Sequence, residues 1–173
     1  MDKVNYNIRY AIPDDALQIQ EIMHKAFEGY LAEIGNDYKL LALTESIEDI
    51  LADIKKRAVY VAVTDAGKLL GAIRIKPLTS ELAYIYRFGV HPNIKNVGVG
   101  SKLLATALDF CSDNGFKAVA LHTNTRFYNL ARYYYGKRFF VHSTTTNKGY
   151  IRALFVKELT SDRNYDLTPA FEE

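Results

Sequence analysis

The stretch from Asn93 to Leu104 reads NIKNVGVGSKLL and places Gly98 and Gly100 two residues apart, where a strand-like run gives way to a helix-like one. Glycine lets backbone amides approach a ligand where a Cβ would clash, at an entropic cost on folding. A helix start leaves amides without intrahelical partners and carries partial positive charge, so a glycine-bearing loop that opens a helix has the chemistry of an anion site. Lys95 and Lys102 add cations to the same stretch. Two nucleotide motifs are excluded. A P-loop needs GxxxxGK[ST], but Gly100-Ser101-Lys102 has the wrong order, and the dinucleotide fingerprint needs a third glycine where Leu103 stands. The plainer use of the two glycines is a tight turn that packs a helix on a sheet.

Tyrosines supply a second chemistry. In RFYNLARYYYGKRFF, Phe127, Leu130, Ala131 and Tyr134 fall on one helical face, which assigns Tyr134 to the core, while Tyr128, Arg132 and Tyr135 share a neighbouring face. A phenol is protonated at neutral pH and can act as a general acid. The segment FEGYLAEIGNDYK offers Glu28, Tyr30, Glu33, Asp37 and Tyr38, carboxylates and aromatic faces suited to a cationic amine and equally consistent with an exposed charged loop. Candidate bases for such an amine are Glu81, Tyr84 and Tyr86, Glu28 and Glu33, and His122. His24, His91 and His142 read as structural, and the histidine spacing makes no metal set, so no metal is expected.

Those groups are positioned by alternating strands and helices. A strand over 6–11 precedes Pro13-Asp14-Asp15, a helix-start signature, and a helix carrying Ala16, Ile19, Ile22, Met23 and Ala26. From Phe27 to Leu43 the pattern breaks at Gly29, Gly35 and Asn36, which predicts a loop with a helical turn. Ile47, Ile50, Leu51 and Ile54 mark a second helix capped by Thr44 or Ser46. Two strand-like runs surround Asp65-Ala66-Gly67, and LAYIYRFGV follows as a third, which predicts an antiparallel meander. A helix from about Gly98 ends at Asn114-Gly115. Then come KAVALHT as a strand, FYNLARYYYGK as a helix, and a closing hairpin turning at Thr146-Asn147-Lys148-Gly149. The acidic tail after Leu159 is expected to be loosely ordered.

The 173 residues are expected to form one domain, 49% hydrophobic and 24% charged, with a core over about 6–157 and a tail over 158–173. Twenty-two basic against twenty acidic residues leave +2, too little to argue for nucleic acid or an anionic membrane. The lone Cys111 points to a reducing compartment, the cytoplasm. No apolar leader and no run of membrane-spanning length is present, which points to a soluble chain.

The run VHPNIKNVGVGSKLL resembles motif A of the GNAT superfamily of N-acyltransferases, in which a strand ending in a V-x-P-like element is followed by [QR]-x-x-G-x-[GA] opening a helix. Lys95 occupies the Gln/Arg position, Gly98 and Gly100 the small positions, and Asn96 stands where glycine is frequent. The element order over about 6–157 also matches the family. The resemblance implies an α/β (α+β) fold: a mixed, mostly antiparallel sheet of about seven strands flanked by about four helices, with the fourth and fifth strands splayed. It implies that Lys95, Asn96, Val97, Gly98, Val99, Gly100 and Ser101 bind the pyrophosphate of acetyl-CoA. The Phe88 amide would stabilise the oxyanion, Val90 would meet the pantetheine arm, and Gly89 would ease a bulge.

RFYNLARYYYGKRFF resembles motif B, often N-x-x-A-x-x-[FY]-Y-x-x-x-G-F. Aligned on Ala131, Tyr128 takes the place of the asparagine on the cofactor side, Tyr134-Tyr135 form the aromatic pair, and Phe139-Phe140 replace Gly-Phe. Tyr135 is then the general acid for the departing thiolate. The resemblance implies acetyl transfer to a primary amine of a small molecule or peptide, with Glu28, Tyr30, Glu33, Tyr84 and Tyr86 toward the acceptor, and admits a homodimer. Two other readings stand beside it: a CoA-binding sensor of the same fold, and a single-stranded nucleic-acid binder using Arg126, Arg132, Lys137 and Arg138 among the rings.

Overall fold

The computed structural model describes residues 4–34, 43–94 and 97–173. In chain order these form β1 (Tyr6–Tyr10), α1 (Ala16–Ile34), α2 (Ile47–Lys56), β2 (Ala58–Thr64), β3 (Leu69–Pro77), β4 (Leu82–Val90), α3 (Val99–Asp113), β5 (Ala118–Asn124), α4 (Tyr128–Gly136), β6 (Phe140–Thr145) and β7 (Arg152–Glu158). The sequence predicts this order. The strands hydrogen-bond as one seven-stranded sheet in the order β1-β2-β3-β4-β5-β7-β6. Its β1–β2, β2–β3, β5–β7 and β6–β7 ladders are antiparallel. The β4–β5 ladder is parallel and runs from Leu82–Ala118 to Tyr84–Ala120, the first three residues of each strand.

Two compact units divide the chain, the first comprising residues 1–32, 39–75 and 87–107, the second 33–38, 76–86 and 108–173. In the first, Ala16, Ile19, Ile22 and Met23 of α1 and Ile50 of α2 pack with Val59, Val61, Val63, Leu69 and Ala72. Local chemistry fixes the helix starts there. Asp15 accepts from the Ile12 amide at 2.8 Å and from Arg9 at 2.6 and 3.0 Å. Ser46 rather than Thr44 caps α2, its hydroxyl accepting from the Asp49 amide while the Asp49 carboxylate accepts from the Ser46 amide.

The predicted loop from Phe27 is instead the last two turns of α1, which continues to Ile34. Gly29 is tolerated inside it because Phe27 packs on the core of the first unit and meets Tyr30 edge-on at 6.0 Å, contacts that outweigh the roughly 1 kcal/mol preference of a helix interior for alanine. Gly35, Asn36, Asp37 and Tyr38 lie outside the described residues.

In the second unit, Leu82, Tyr84, Ala118, Ala120, Leu154 and Val156 form a core closed by Ala170, with Tyr165 and Leu167 packed against it. The tail expected to be loose is therefore seated. Ala170 is fully buried, Asn147 Nδ2 donates to the Phe171 carbonyl at 3.1 Å, and Lys76 pairs with Glu173 at 2.6 Å.

Candidate functional site

Helix α3 begins at Val99, and its first intrahelical bond runs from the Lys102 amide to the Gly98 carbonyl at 3.0 Å. The amides of Val99, Gly100 and Ser101 precede that bond, so this turn presents the donors an anion needs. Gly98 has φ +78°, a left-handed backbone that side chains other than glycine adopt at a cost. Gly100 has an ordinary φ, and a Cβ there would stand 3.5 Å from Val90 and 3.7 Å from the Phe88 ring, normal van der Waals contact. The left-handed backbone therefore favours glycine at 98, where a Cβ would meet only the Tyr6 hydroxyl at 3.9 Å, while neither backbone nor packing requires it at 100. The bare edge at 100 fits a pyrophosphate drawn against the helix start.

Tyr6 supports this turn from β1. Its hydroxyl donates to the Val97 carbonyl at 3.3 Å, and Lys102 Nζ lies 5.0 Å from the centre of its ring. Phe88, Val90, Val97, Gly98, Val99, Gly100 and Ser101 are thus together in the first unit. Lys95 and Asn96, also expected in the cradle, lie outside the described residues.

Gly89 does not supply the irregularity in β4. The left-handed residue is Arg87, at φ +47°, and a Cβ on Gly89 would meet Met23 Cε at 3.0 Å and Ala26 Cβ at 3.1 Å. Gly89 is small so that α1 can approach β4. Arg87 immediately precedes Phe88, and its Nε donates to Glu45 at 3.3 Å. Glu45 also takes two bonds, at 2.7 and 2.9 Å, from Arg74, which is fully buried on β3 and bonds Asp53 of α2 at 2.9 Å. Against the penalty of burial, these carboxylates hold the Arg74 guanidinium above its ordinary pKa.

The tyrosine helix α4 belongs to the second unit. Tyr134 is 4% exposed and packs between Phe139 and Phe155 at ring distances of 5.5 and 5.6 Å, a core position as its spacing predicts. Tyr135 is 55% exposed and meets Phe155 edge-on at 5.4 Å, while Tyr128 is 70% exposed. The backbone leaves α4 through Arg138 at φ +63°, and Phe139 behind it is buried whereas Phe140 is exposed. The left-handed residue and the buried ring that follow α4 are therefore Arg138 and Phe139.

Tyr84 and His122 meet in the same unit, hydroxyl to Nδ1 at 2.8 Å. Burial raises the Tyr84 phenol above its ordinary pKa, with Arg152 countering. Burial, then the positive charges of Arg152 and Lys148, lower His122 to about 4. Lys76 Nζ sits 5.6 Å over the Tyr84 ring and 5.2 Å over that of Tyr86. Glu28 and Tyr30 lie on α1, Glu28 exposed and Tyr30 half-buried, and Glu33 falls in its last turn. Among the described residues no group of three or more His, Cys, Asp or Glu could hold a metal ion, and no helix is long and apolar enough to cross a membrane.

Sequence reasoning missed Tyr6, Glu45 and Arg152. Each depends on a partner far along the chain, and only Arg152, a lone cation between apolar neighbours in YIRALFV, left any local signal.

Residues 18–140 match the acetyltransferase (GNAT) family. No curated protein matches the sequence. Among solved structures, the chain is similar to the PaiA N-acetyltransferase of Thermoplasma acidophilum in complex with coenzyme A, with a TM-score of 0.76, 19% identity, and 89% of this chain and 99% of that one covered. It is also similar to YncA of Salmonella typhimurium, a putative acetyltransferase with its cofactor acetyl-CoA, with a TM-score of 0.73, 18% identity and coverage of 94% and 98%. Ard1 of Thermoplasma volcanium gives 0.71, 21%, 91% and 99%. At such identities these likenesses concern the fold.

Proposed function

Because the chain belongs to the acetyltransferase (GNAT) family, we propose that it transfers an acetyl group from acetyl-CoA to a primary amine of a small molecule or peptide, by direct attack of the amine on the thioester. The observation that carries this reading is the first turn of α3, where the protein's own packing leaves Gly100 free to be larger and it is nonetheless bare. Coenzyme A in the PaiA structure and acetyl-CoA in the YncA structure support the choice of co-substrate. The reading takes residues 1–173 as one catalytic domain acting in the cytoplasm, without a metal.

Acetyl-CoA supplies an activated acyl group and a thiolate leaving group. The amides of Val97 to Ser101, with Lys95 and Asn96 at the family's positions, hold the pyrophosphate, and Tyr128 lies toward the cofactor. Val90 holds the pantetheine arm, and the Phe88 amide donates to the oxygen on which negative charge develops as the carbon–nitrogen bond forms. Tyr135 gives its proton to sulfur as the carbon–sulfur bond breaks, and the proton that the amine nitrogen sheds returns Tyr135 to its neutral form through solvent. A second reading gives that proton to Tyr134, because counting back from the left-handed Arg138 rather than from Phe139 moves the family's tyrosine to 134.

The test is release of free CoA thiol from acetyl-CoA across polyamines, amino acids, aminoglycosides and peptides. Release that depends on an amine and yields its N-acetyl product is expected. Binding of acetyl-CoA with no release on the whole panel contradicts catalysis and favours a sensor.

A further inference from the structure

Two buried nitrogens of the second unit, His122 Nε2 and Arg152 Nε, have no hydrogen-bond partner among the described residues. They belong to one face of the sheet. In the β5–β7 ladder Asn124 stands opposite Arg152 and His122 opposite Leu154, so alternation makes His122 and Arg152 diagonal neighbours. Arg152 is only 7% exposed, and its other two nitrogens are engaged, with the main-chain oxygen of Glu173 at 3.3 Å and Asn147 Oδ1 at 2.8 Å. Nε is the nitrogen of that fork that has no partner.

Tyr84 decides what His122 offers. The Tyr84 hydroxyl lies 2.8 Å from Nδ1, and in the tautomer where it donates to that nitrogen the neutral imidazole carries its proton on Nε2. In that tautomer both orphan atoms are N–H donors. The charged groups that the described residues place around them are Arg152, Lys148 and Lys76 against Glu173, whose side-chain carboxylate Lys76 already holds and whose main-chain oxygen accepts from Arg152. Two unfilled donors in a cationic, largely desolvated setting call for an anionic group with two acceptor oxygens.

We propose that this face is a carboxylate subsite, formed by Arg152 Nε–H and His122 Nε2–H, and that the amine acceptor is one carrying a carboxylate, an amino acid or short peptide, rather than a polyamine. The identity of the acceptor rests on the acetyl-transfer reading above. Binding of a carboxylate does not.

The experiment pairs two measurements on the full chain. In the first, imidazole ¹⁵N NMR of wild-type protein is followed during titration with N-acetylglycine and with N-acetylglycinamide. A saturable shift of His122 Nε2 with the carboxylate alone is expected, and no shift, or equal shifts with both, overturns the subsite. In the second, glycine-type acceptors are compared with their amides in wild type and Arg152→Lys. A KM for the carboxylate acceptor raised at least tenfold relative to that for its amide, with KM for acetyl-CoA unchanged, is expected. Equal use of acid and amide by wild type overturns the acceptor assignment while leaving acetyl transfer intact. A saturable NMR shift with no acetylation of any acceptor upholds the subsite and contradicts acetyl transfer instead. Should Arg152→Lys not fold, both wild-type comparisons still decide.

Discussion

The hydroxyl of Tyr6, at the start of β1, donates to the carbonyl of Val97 at 3.3 Å, so the first strand of the fold holds the turn that opens α3. That bond fixes the peptide immediately before Gly98, whose left-handed φ of +78° leads into the helix start. Tyr6→Phe keeps the ring under Lys102 and removes only the hydrogen bond. It is expected to weaken acetyl-CoA binding by about 3- to 10-fold, the scale of one hydrogen bond, while leaving KM for the amine unchanged, as measured by calorimetry and steady-state kinetics.

Tyr134→Phe and Tyr135→Phe separate the two readings of the general acid. Loss of an acid assisting thiolate departure lowers kcat by about 10²-fold or more. The proposal expects this for Tyr135→Phe, with little change for Tyr134→Phe, in thiol-release assays on variants whose melting temperatures match wild type. The reverse pattern would give the role to Tyr134 and would agree with the left-handed Arg138.

Arg74 is fully buried and its pair with Glu45 is bidentate, so removing Glu45 leaves a buried guanidinium with only the partly exposed Asp53 to compensate it. Glu45→Leu is expected to cost about 3–5 kcal/mol in urea unfolding, with little dependence on salt. Asp53→Asn should cost less, because Asp53 is partly exposed and Glu45 still neutralises the guanidinium.

His122 links stability to acidity. Its pKa is depressed from 6.5 to about 4 in the folded chain, so above pH 6.5 it is neutral in both states and contributes no pH dependence. As pH falls from 6.5 toward 4 the unfolded chain binds the proton and the folded chain does not, which lowers stability, and below about 4 the loss is complete. His122→Gln is expected to flatten the unfolding free energy between pH 6.5 and 4 relative to wild type, followed by urea titrations at each pH.

The order of strands and helices was legible because each element carries its own period and punctuation: Ile47, Ile50 and Ile54 behind Ser46, or KAVALHT between Gly115 and the tyrosine helix. Strand order within the closing hairpin was not. ALFV is a continuous apolar run behind Arg152 and takes the inner position as β7, while FVHSTT turns polar after Val141 and forms the edge as β6, a distinction made only once β5 is there to pair. The glycine cradle was read from local spacing alone. The carboxylates meeting at Arg74 and the donors at His122 and Arg152 were illegible because their partners lie tens of residues away and carry no common motif. Gly89 and Arg87 show the limit most directly, since glycine was the expected site of backbone irregularity and the neighbouring arginine has it.

The central claim is that the first turn of α3 holds the pyrophosphate of acetyl-CoA, and the direct measurement is calorimetric binding of acetyl-CoA to wild type and to Gly100→Glu. At position 100 the backbone is unstrained and a Cβ meets nothing closer than 3.5 Å, so the variant is expected to fold with a near wild-type melting temperature. Its carboxylate would stand where the diphosphate approaches. The account predicts micromolar-range binding by wild type that falls at least 100-fold in Gly100→Glu. Equal affinity of the two folded proteins for acetyl-CoA would contradict it.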